Sequence, residues 1–329
     1  MTTRWGILGP GRIAHTFAAD LALLPDAELV ATGSRSLERA EAFAAEHGGA
    51  AYGSYEELVA DERVDALYVA SPHGVHVEHV RLALEAGRPV LCEKPLTLRA
   101  TDAEALFAEA RERGVLLMEA MWTACHPVVR ELARAVAAGE YGAPRQLHAE
   151  LGFVVATRAS DDSDRLLDPA LGAGALLDMG IYPLTFAHLL LGEAEELRGT
   201  AVLADSGIDL DVVVAGRYPG GAVATLGASM TSWSSRRAEL ATDTGRLVVE
   251  DFHHPTSVTW TPHDGSPVTV EGSEPVIGRG YSHEAVEFAR CLDEGLLESP
   301  LVPHAQTLTL LRHMDDLRAQ VGVRYPGED

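Results

Sequence analysis

Thr3-Arg4-Trp5-Gly6-Ile7-Leu8, followed at once by Gly9-Pro10-Gly11-Arg12-Ile13-Ala14, decides how the first third of this chain reads. The first six residues have the composition of a short buried strand. The next six form a G-x-G-x-x-A pattern that opens an amphipathic run to about Leu24. Glycines here permit a tight turn and let backbone approach a pyrophosphate, whose charge is favoured at a helix N-terminus. The pattern means little without a strand before it, a helix after it and a second strand beyond, and near Glu28 to Thr32 that second strand is present. Gly9, Gly11, Arg12 and Ile13 are therefore expected at a dinucleotide. Gly33-Ser34-Arg35-Ser36 comes next, where a free ribose 2′-hydroxyl would call for an acidic residue. Hydroxyls and a guanidinium stand there instead, with Arg39 one turn beyond Arg35. Ser34, Arg35 and Arg39 suit a 2′-phosphate, so NADP is expected, with NAD as the alternative. A plainer reading of the same residues is a solvated helix start capped by Ser36.

The alternation continues through a short strand at 50–52 and a capping-box start at Ser54-Tyr55-Glu56-Glu57. Strands at 65–70, 89–93 and 115–119 follow, with helices between. This is a doubly wound parallel sheet, in which ligands lie beyond the carboxyl ends of the strands. Ser71, His76, Glu93, Lys94 and Glu119 all fall at such ends, and Ser71, His76, Glu93 and Lys94 are assigned to the cofactor region. Lys94 stands out further. It is the only lysine among 26 lysine and arginine side chains. A compact ammonium can be tuned by burial where a guanidinium cannot.

From about Gln146 the pattern changes. Strand-like segments recur at 146–155, 197–202, 209–218, 222–228, 237–241, 246–250 and 257–261, separated by turns such as Tyr218-Pro219-Gly220-Gly221. They read as an open, largely antiparallel sheet, accompanied by helices at about 174–191, 281–294 and 303–320. The fold class is α/β, divided into residues 1–121, which bind NAD(P), and an α+β domain at 122–329. Hydrophobic residues make up 47% and charged residues 23%, as in a soluble globular protein. Net charge of −23 argues against nucleic acid or an anionic membrane as partner. No apolar run appears long enough for a membrane span, and no secretory signal opens the chain, so a cytoplasmic protein is expected. Cys92, Cys125 and Cys291 show no metal spacing, and no metal is expected.

In the second half, Gly172-Ala173-Gly174-Ala175-Leu176-Leu177-Asp178-Met179-Gly180-Ile181-Tyr182-Pro183 places Asp178 and Tyr182 four apart, on one face of a helix. Pro183 would bend or restart such a helix. The Gly9 fingerprint, Glu93-Lys94-Pro95 and Asp178-x-Gly-x-Tyr182 together resemble the glucose–fructose oxidoreductase, inositol dehydrogenase and MocA family. Met118-Glu119-Ala120-Met121-Trp122-Thr123, Tyr281-Ser282-His283-Glu284 and Gly322-Val323-x-Tyr325-Pro326 resemble its branch of dimeric dihydrodiol dehydrogenases and NADP-dependent D-xylose 1-dehydrogenases. The resemblance implies a Rossmann domain, and an α/β domain whose open sheet supplies a homodimer interface by one face. It also implies hydride transfer between nicotinamide and a hydroxyl-bearing carbon of a sugar or cyclic polyol. Lys94 and Tyr182 match the family's lysine and acid/base positions, and Asp178 would bind a substrate hydroxyl or orient the lysine. Which of Lys94 and Tyr182 exchanges the proton stays open.

Trp122, His126, Arg165 and Tyr281 are candidates for the pocket wall, His126 being equally a packed histidine. The branch's Trp-Thr-Arg-Phe-x-Pro becomes Trp122-Thr123-Ala124-Cys125-His126-Pro127 here, so substrate identity does not carry over. Trans-dihydrodiol oxidation and reduction of anhydro-sugars or dicarbonyls are alternatives within enzymes. A non-catalytic, dinucleotide-binding regulator is the alternative of another class.

Overall fold

The computed structural model describes residues 2–155 and 164–326. Its first sheet is built from β1 (Thr3–Leu8), β2 (Ala27–Gly33), β3 (Ala50–Tyr52), β4 (Ala66–Val69), β5 (Val90–Glu93) and β6 (Leu117–Ala120). Between them run α1 (Arg12–Leu21), α2 (Leu37–His47), α3 (Tyr55–Val59), α4 (His76–Glu85) and α5 (Ala100–Arg113); the short α6 (Trp122–Cys125) follows β6. Every pairing is parallel, in the order β3-β2-β1-β4-β5-β6. The chain reverses its direction of winding between β1 and β4, the place where such sheets open a crevice for a ligand. Residues of β4, β5 and β6 are buried throughout, as expected of strands covered on both faces.

The next elements are α7 (Pro127–Ala137), β7 (Pro144–Gly152), α8 (Asp164–Leu167) and α9 (Ile181–Leu191). The strands β8 (Glu196–Leu203), β9 (Asp209–Arg217), β10 (Val223–Ser229), β11 (Ala238–Thr242), β12 (Gly245–Val249), β13 (Val258–Pro262) and β14 (Val268–Val270) complete a second sheet. Its order is β14-β13-β12-β11-β7-β10-β9-β8, antiparallel except where β10 runs parallel to β7. The expected strands are all present within a few residues; β14 is an addition. Alternate residues divide the sheet's two faces. Leu147, Ala149, Leu151, Val212, Val214, Ala224 and Leu226 are buried, whereas Val213 and Val223 are 49% and 44% exposed. Helices α7 and α9 pack together, and α9 lies on β7 and β10.

Two further helices close the chain, α10 (Ser282–Asp293) and α11 (His304–Val321). The molecule forms two compact units. One comprises Met1–Cys125 and Ile277–Leu308, the other His126–Val276 and Thr309–Asp329. The return of α10 to the first unit has a clear physical basis. Phe288 is fully buried with its ring 5.2 Å from that of Trp5 on β1, and Trp5 meets Phe17 of α1 edge-on at 5.5 Å. Asp20 of α1 accepts hydrogen bonds from the backbone N–H groups of Arg279, Tyr281 and Ser282. Those groups begin a helix that has no side-chain cap of its own, so a carboxylate from α1 supplies it.

One expectation needs correcting. The stretch Pro169–Leu191, helical apart from a break at Gly172–Gly174, is long and apolar enough to cross a membrane by length and composition, where no such run was expected. In its most apolar window 78% is buried inside the protein, so this is a core helix.

Phe288→Ala removes the ring that joins α10 to β1, and should cost about 3–5 kcal/mol in urea unfolding.

Candidate active site

In the first unit the strand ends assemble one edge. Gly9 has φ +94°, and a Cβ there would press on the backbone of Ala70 and Ser71. Gly11 precedes α1 with only the Ala70 carbonyl oxygen near, at 4.0 Å from where a Cβ would stand, and no side chain caps that helix. Backbone N–H groups at a helix start, on a turn with glycine at both Gly9 and Gly11, fit a pyrophosphate. At the end of β2, Ser34 is buried and its Oγ accepts from Ser36 N–H at 3.2 Å, while Arg35 and Arg39 reach solvent. Ser36 caps α2 through Arg39 N–H, so the plainer reading of that serine describes its local role well.

Ser71 follows β4 at the same edge, and its hydroxyl lies 2.8 Å from His79 Nδ1. His76 is fully buried between the carbonyls of Ser71 and Pro95, at 2.8 and 3.0 Å. Burial outweighs those two contacts and lowers its pKa to about 4. The ring is neutral at pH 7 and donates to one carbonyl at a time, fastening the Ser71 loop to the lysine motif.

That motif ends β5. Glu93 and Lys94 are 7% and 8% exposed, and the Lys94–Pro95 peptide bond is cis. The hydroxyl of Tyr68 on β4 donates to Glu93, which also accepts from Lys94 N–H at 3.2 Å. Glu119 on β6 is 2% exposed and accepts from Leu96 N–H at 2.9 Å and from the Thr307 hydroxyl at 2.8 Å. Burial raises the pKa of Glu119, opposed by those donors and by the charge of Lys94. The ammonium is thus held in a dry setting with carboxyl groups from β5 and β6. Trp122 and Tyr281, both expected at the pocket wall, do come together here, their rings stacked at 5.0 Å.

In the second unit, Asp178 and Tyr182 follow a loop fastened at several points. Gly174 has φ +132°, and a Cβ there would collide with Asp209 Oδ1. Asp209, buried, accepts from Leu176 N–H, and the Tyr325 hydroxyl donates to the Ala173 carbonyl at 2.6 Å. Residues Leu176–Gly180 form a π turn, and α9 then runs through Pro183. A π turn takes up the missing Pro183 donor, an accommodation that recurs at functional sites. Asp178 is half-buried. Tyr182 is 6% exposed and meets His253 edge-on at 4.5 Å.

His126 caps α7, its Nδ1 accepting from Val128 N–H at 3.3 Å, so it has the packed role foreseen as its plainer reading. Arg165 belongs to α8, and its side chain lies outside the described residues.

Several residues near Tyr182 carried no signal in sequence. Phe153 meets His253 at 6.0 Å and Trp233 at 6.1 Å, both edge-on. Arg236 sits above Phe153 and Trp233 at 5.7 and 5.6 Å, pairs with Asp251 at 3.2 Å, and has φ +58°. Trp233 is 65% exposed, so this aromatic ridge faces water. Elsewhere, on α1 and α2, His15 Nδ1 lies 2.8 Å from His47 Nε2, and Glu46 reaches both rings at 3.2 and 3.5 Å. That arrangement of metal-ligating side chains was not foreseen; no ion is needed for its hydrogen bonds, and it is open to solvent.

Residues 3–121 match the oxidoreductase family with an NAD-binding Rossmann fold, and residues 129–248 match the GFO/IDH/MocA C-terminal domain. The trans-1,2-dihydrobenzene-1,2-diol dehydrogenase of Mus musculus is 34% identical over 99% of both chains, and that of Sus scrofa 35% over 99% of both. The chain belongs to this family. It is an oxidoreductase with an NAD(P)-binding Rossmann domain. Among solved structures, a 3-ketoreductase of Actinomadura kijaniata in complex with NADP and TDP-benzene is 29% identical, with TM-score 0.86 over 98% of each chain. An aldose-aldose oxidoreductase of Caulobacter crescentus has TM-score 0.87 over 98% of each chain at 22% identity, a likeness of fold.

Gly174→Ala should lower stability by more than about 1 kcal/mol, measured by thermal unfolding, because positive φ and the Asp209 contact both oppose a side chain.

Proposed function

We propose that this protein is an NADP-dependent dehydrogenase acting on six-membered rings that carry adjacent hydroxyl groups. The observation that carries the reading is the burial of the chain's only lysine at the end of β5, on the sheet edge that also holds the glycine turn. NADP when bound supplies the nicotinamide that exchanges a hydride with the hydroxyl-bearing carbon. The chain's residues handle the proton. Tyr182 is the group that takes the hydroxyl proton during oxidation and returns it during reduction. Lys94 orients the hydroxyl and favours the phenolate by its charge, as an ammonium does beside a phenol. Asp178 binds a neighbouring hydroxyl. The solved 3-ketoreductase structures include variants in which a lysine and a tyrosine are replaced, in keeping with a two-residue division of labour.

Two substrate types share the required ring. The curated relatives are named for trans-1,2-dihydrobenzene-1,2-diol, and the solved 3-ketoreductase for a keto group at position 3, bound with a TDP compound. A pyranose such as D-xylose and a dihydrodiol both present vicinal hydroxyls on a six-membered ring. The Phe153–Trp233 ridge near Tyr182 supports a ligand with an apolar face, and with the names of the curated relatives this reading ranks the dihydrodiol first and the aldose second. For the cofactor, the absence of an acidic residue at 34–36, with Arg35 and Arg39 in its place, supports a 2′-phosphate. A second copy of the chain is the partner this reading assigns to the outer face of the second sheet, where Val213 and Val223 are exposed.

Lys94→Arg keeps the charge and loses the compact ammonium, and Tyr182→Phe loses the proton-transfer group. Each is expected to lower kcat by roughly 10²–10⁴-fold with NADP binding retained. Turnover of either variant within a few-fold of wild type, on trans-1,2-dihydrobenzene-1,2-diol or D-xylose, would retire its assigned role. Turnover with NADP should exceed that with NAD at equal concentration, and Arg35→Asp should reverse the order.

A further inference from the structure

Four buried carboxyls of the first unit are linked in a chain: Glu284 feels the charges of Glu93 and Asp20, and Glu119 feels that of Glu93. Three of them are provided with donors. Asp20 accepts from the backbone of Arg279, Tyr281 and Ser282. Glu93 accepts from the Tyr68 hydroxyl and Lys94 N–H, and Glu119 from Leu96 N–H and the Thr307 hydroxyl. Glu284, in the first turn of α10, is different. It is 0% exposed, and neither carboxyl oxygen has a hydrogen-bond partner among the described residues.

A carboxylate buried without donors carries a desolvation cost that nothing repays, and such a group takes up a proton instead. Its surroundings point the same way. From α1 Asp20 and from β5 Glu93 act on it, each raising its pKa further. From β4 comes the phenol of Tyr68, itself influenced by Glu93, Glu284 and Tyr281. Helix α6 (Trp122–Cys125), also packed on α10, carries no charged side chain.

We propose that Glu284 is held inside the folded protein as a neutral acid and serves as a positioning residue for Lys94. By staying neutral it keeps a further buried charge away from Glu93, the carboxyl that accepts the Lys94 N–H. The positioning half rests on the reading of Lys94 given above; the acid form rests only on burial and missing donors.

The acid form has a measurable sign. In the unfolded chain Glu284 ionises in the ordinary carboxylate range, whereas burial, then the charges of Glu93 and Asp20, hold it well above that range in the fold. Between those two values unfolding releases a proton, so stability falls as pH rises and levels off once the folded group ionises. Glu284→Gln is neutral at every pH and lacks this loss. Relative to wild type, its unfolding equilibrium constant in urea should fall by about tenfold per pH unit across that window. A purely structural role would instead give an offset independent of pH.

Infrared spectra at neutral pH should show a protonated carboxylic acid in wild type that is missing from Glu284→Gln. Because the chain has one lysine, isotope-labelled lysine gives a single NMR signal, and its titration should lose one step in the variant. A wild type without the acid band, or a pH-independent stability difference, overturns the neutral acid. An acid band combined with superimposable lysine titrations overturns the positioning role. If Glu284→Gln does not fold, the wild-type band alone decides the acid form, by its presence at neutral pH and its loss at alkaline pH. An active Lys94→Arg enzyme would retire the catalytic role of Lys94 while leaving the band and the stability slope untouched.

Discussion

A buried carboxylate that accepts a backbone N–H from a distant segment is the interaction on which this structure depends. It recurs close to Lys94, Tyr281 and Tyr182. Glu119 holds Leu96 N–H, two residues past Lys94. Asp20 holds Tyr281 N–H, which fixes the ring stacked on Trp122. Asp209 holds Leu176 N–H, two residues before Asp178 and six before Tyr182. Hydrogen bonds to a charged acceptor are worth about 1.5–3 kcal/mol each. They also fix direction, because a carboxylate gripping a peptide N–H sets the path of the chain on either side of it. Loops that would otherwise wander are thereby held within the small tolerances that proton and hydride transfer require.

The same device explains why the first unit is built from separated pieces of chain. An α/β sheet of six strands could end at residue 121, yet Asp20 and Phe288 bring a helix from beyond residue 276 back onto α1 and β1. Burial of Phe288 against Trp5 supplies the affinity. Asp20 supplies the register, by capping a helix whose own sequence lacks a capping side chain.

Much of this was legible beforehand because it is local. Period and punctuation located the six parallel strands and seven of the eight strands of the second sheet, and put Lys94 at a strand end. Ser54 as the cap of α3 followed from a four-residue pattern. What could not be read is what joins residues far apart. Asp20 and Tyr281 are 261 residues apart, and nothing in either neighbourhood announces the other. His253 beside Tyr182, and Arg236 over Phe153 and Trp233, belong to the same class. The helix through Pro183 was misleading for another reason. Helical periodicity takes one hydrogen-bond pattern for granted, and the π turn at 176–180 departs from it.

The strongly acidic composition takes on a second meaning from these contacts. Many acidic side chains at the surface pair with arginines, as Asp65 does with Arg4 and Glu109 with Arg113, and a small set is buried. In that set the supply of donors, more than the charge of neighbours, separates one carboxyl from another. Asp20, Glu93 and Glu119 have N–H or O–H groups aimed at them, and an anion there is solvated by the protein. Glu284 shares their burial without their donors. Folding has provided donors for three of the four and none for Glu284, and that selective provision is what distinguishes one buried carboxyl of this unit from another.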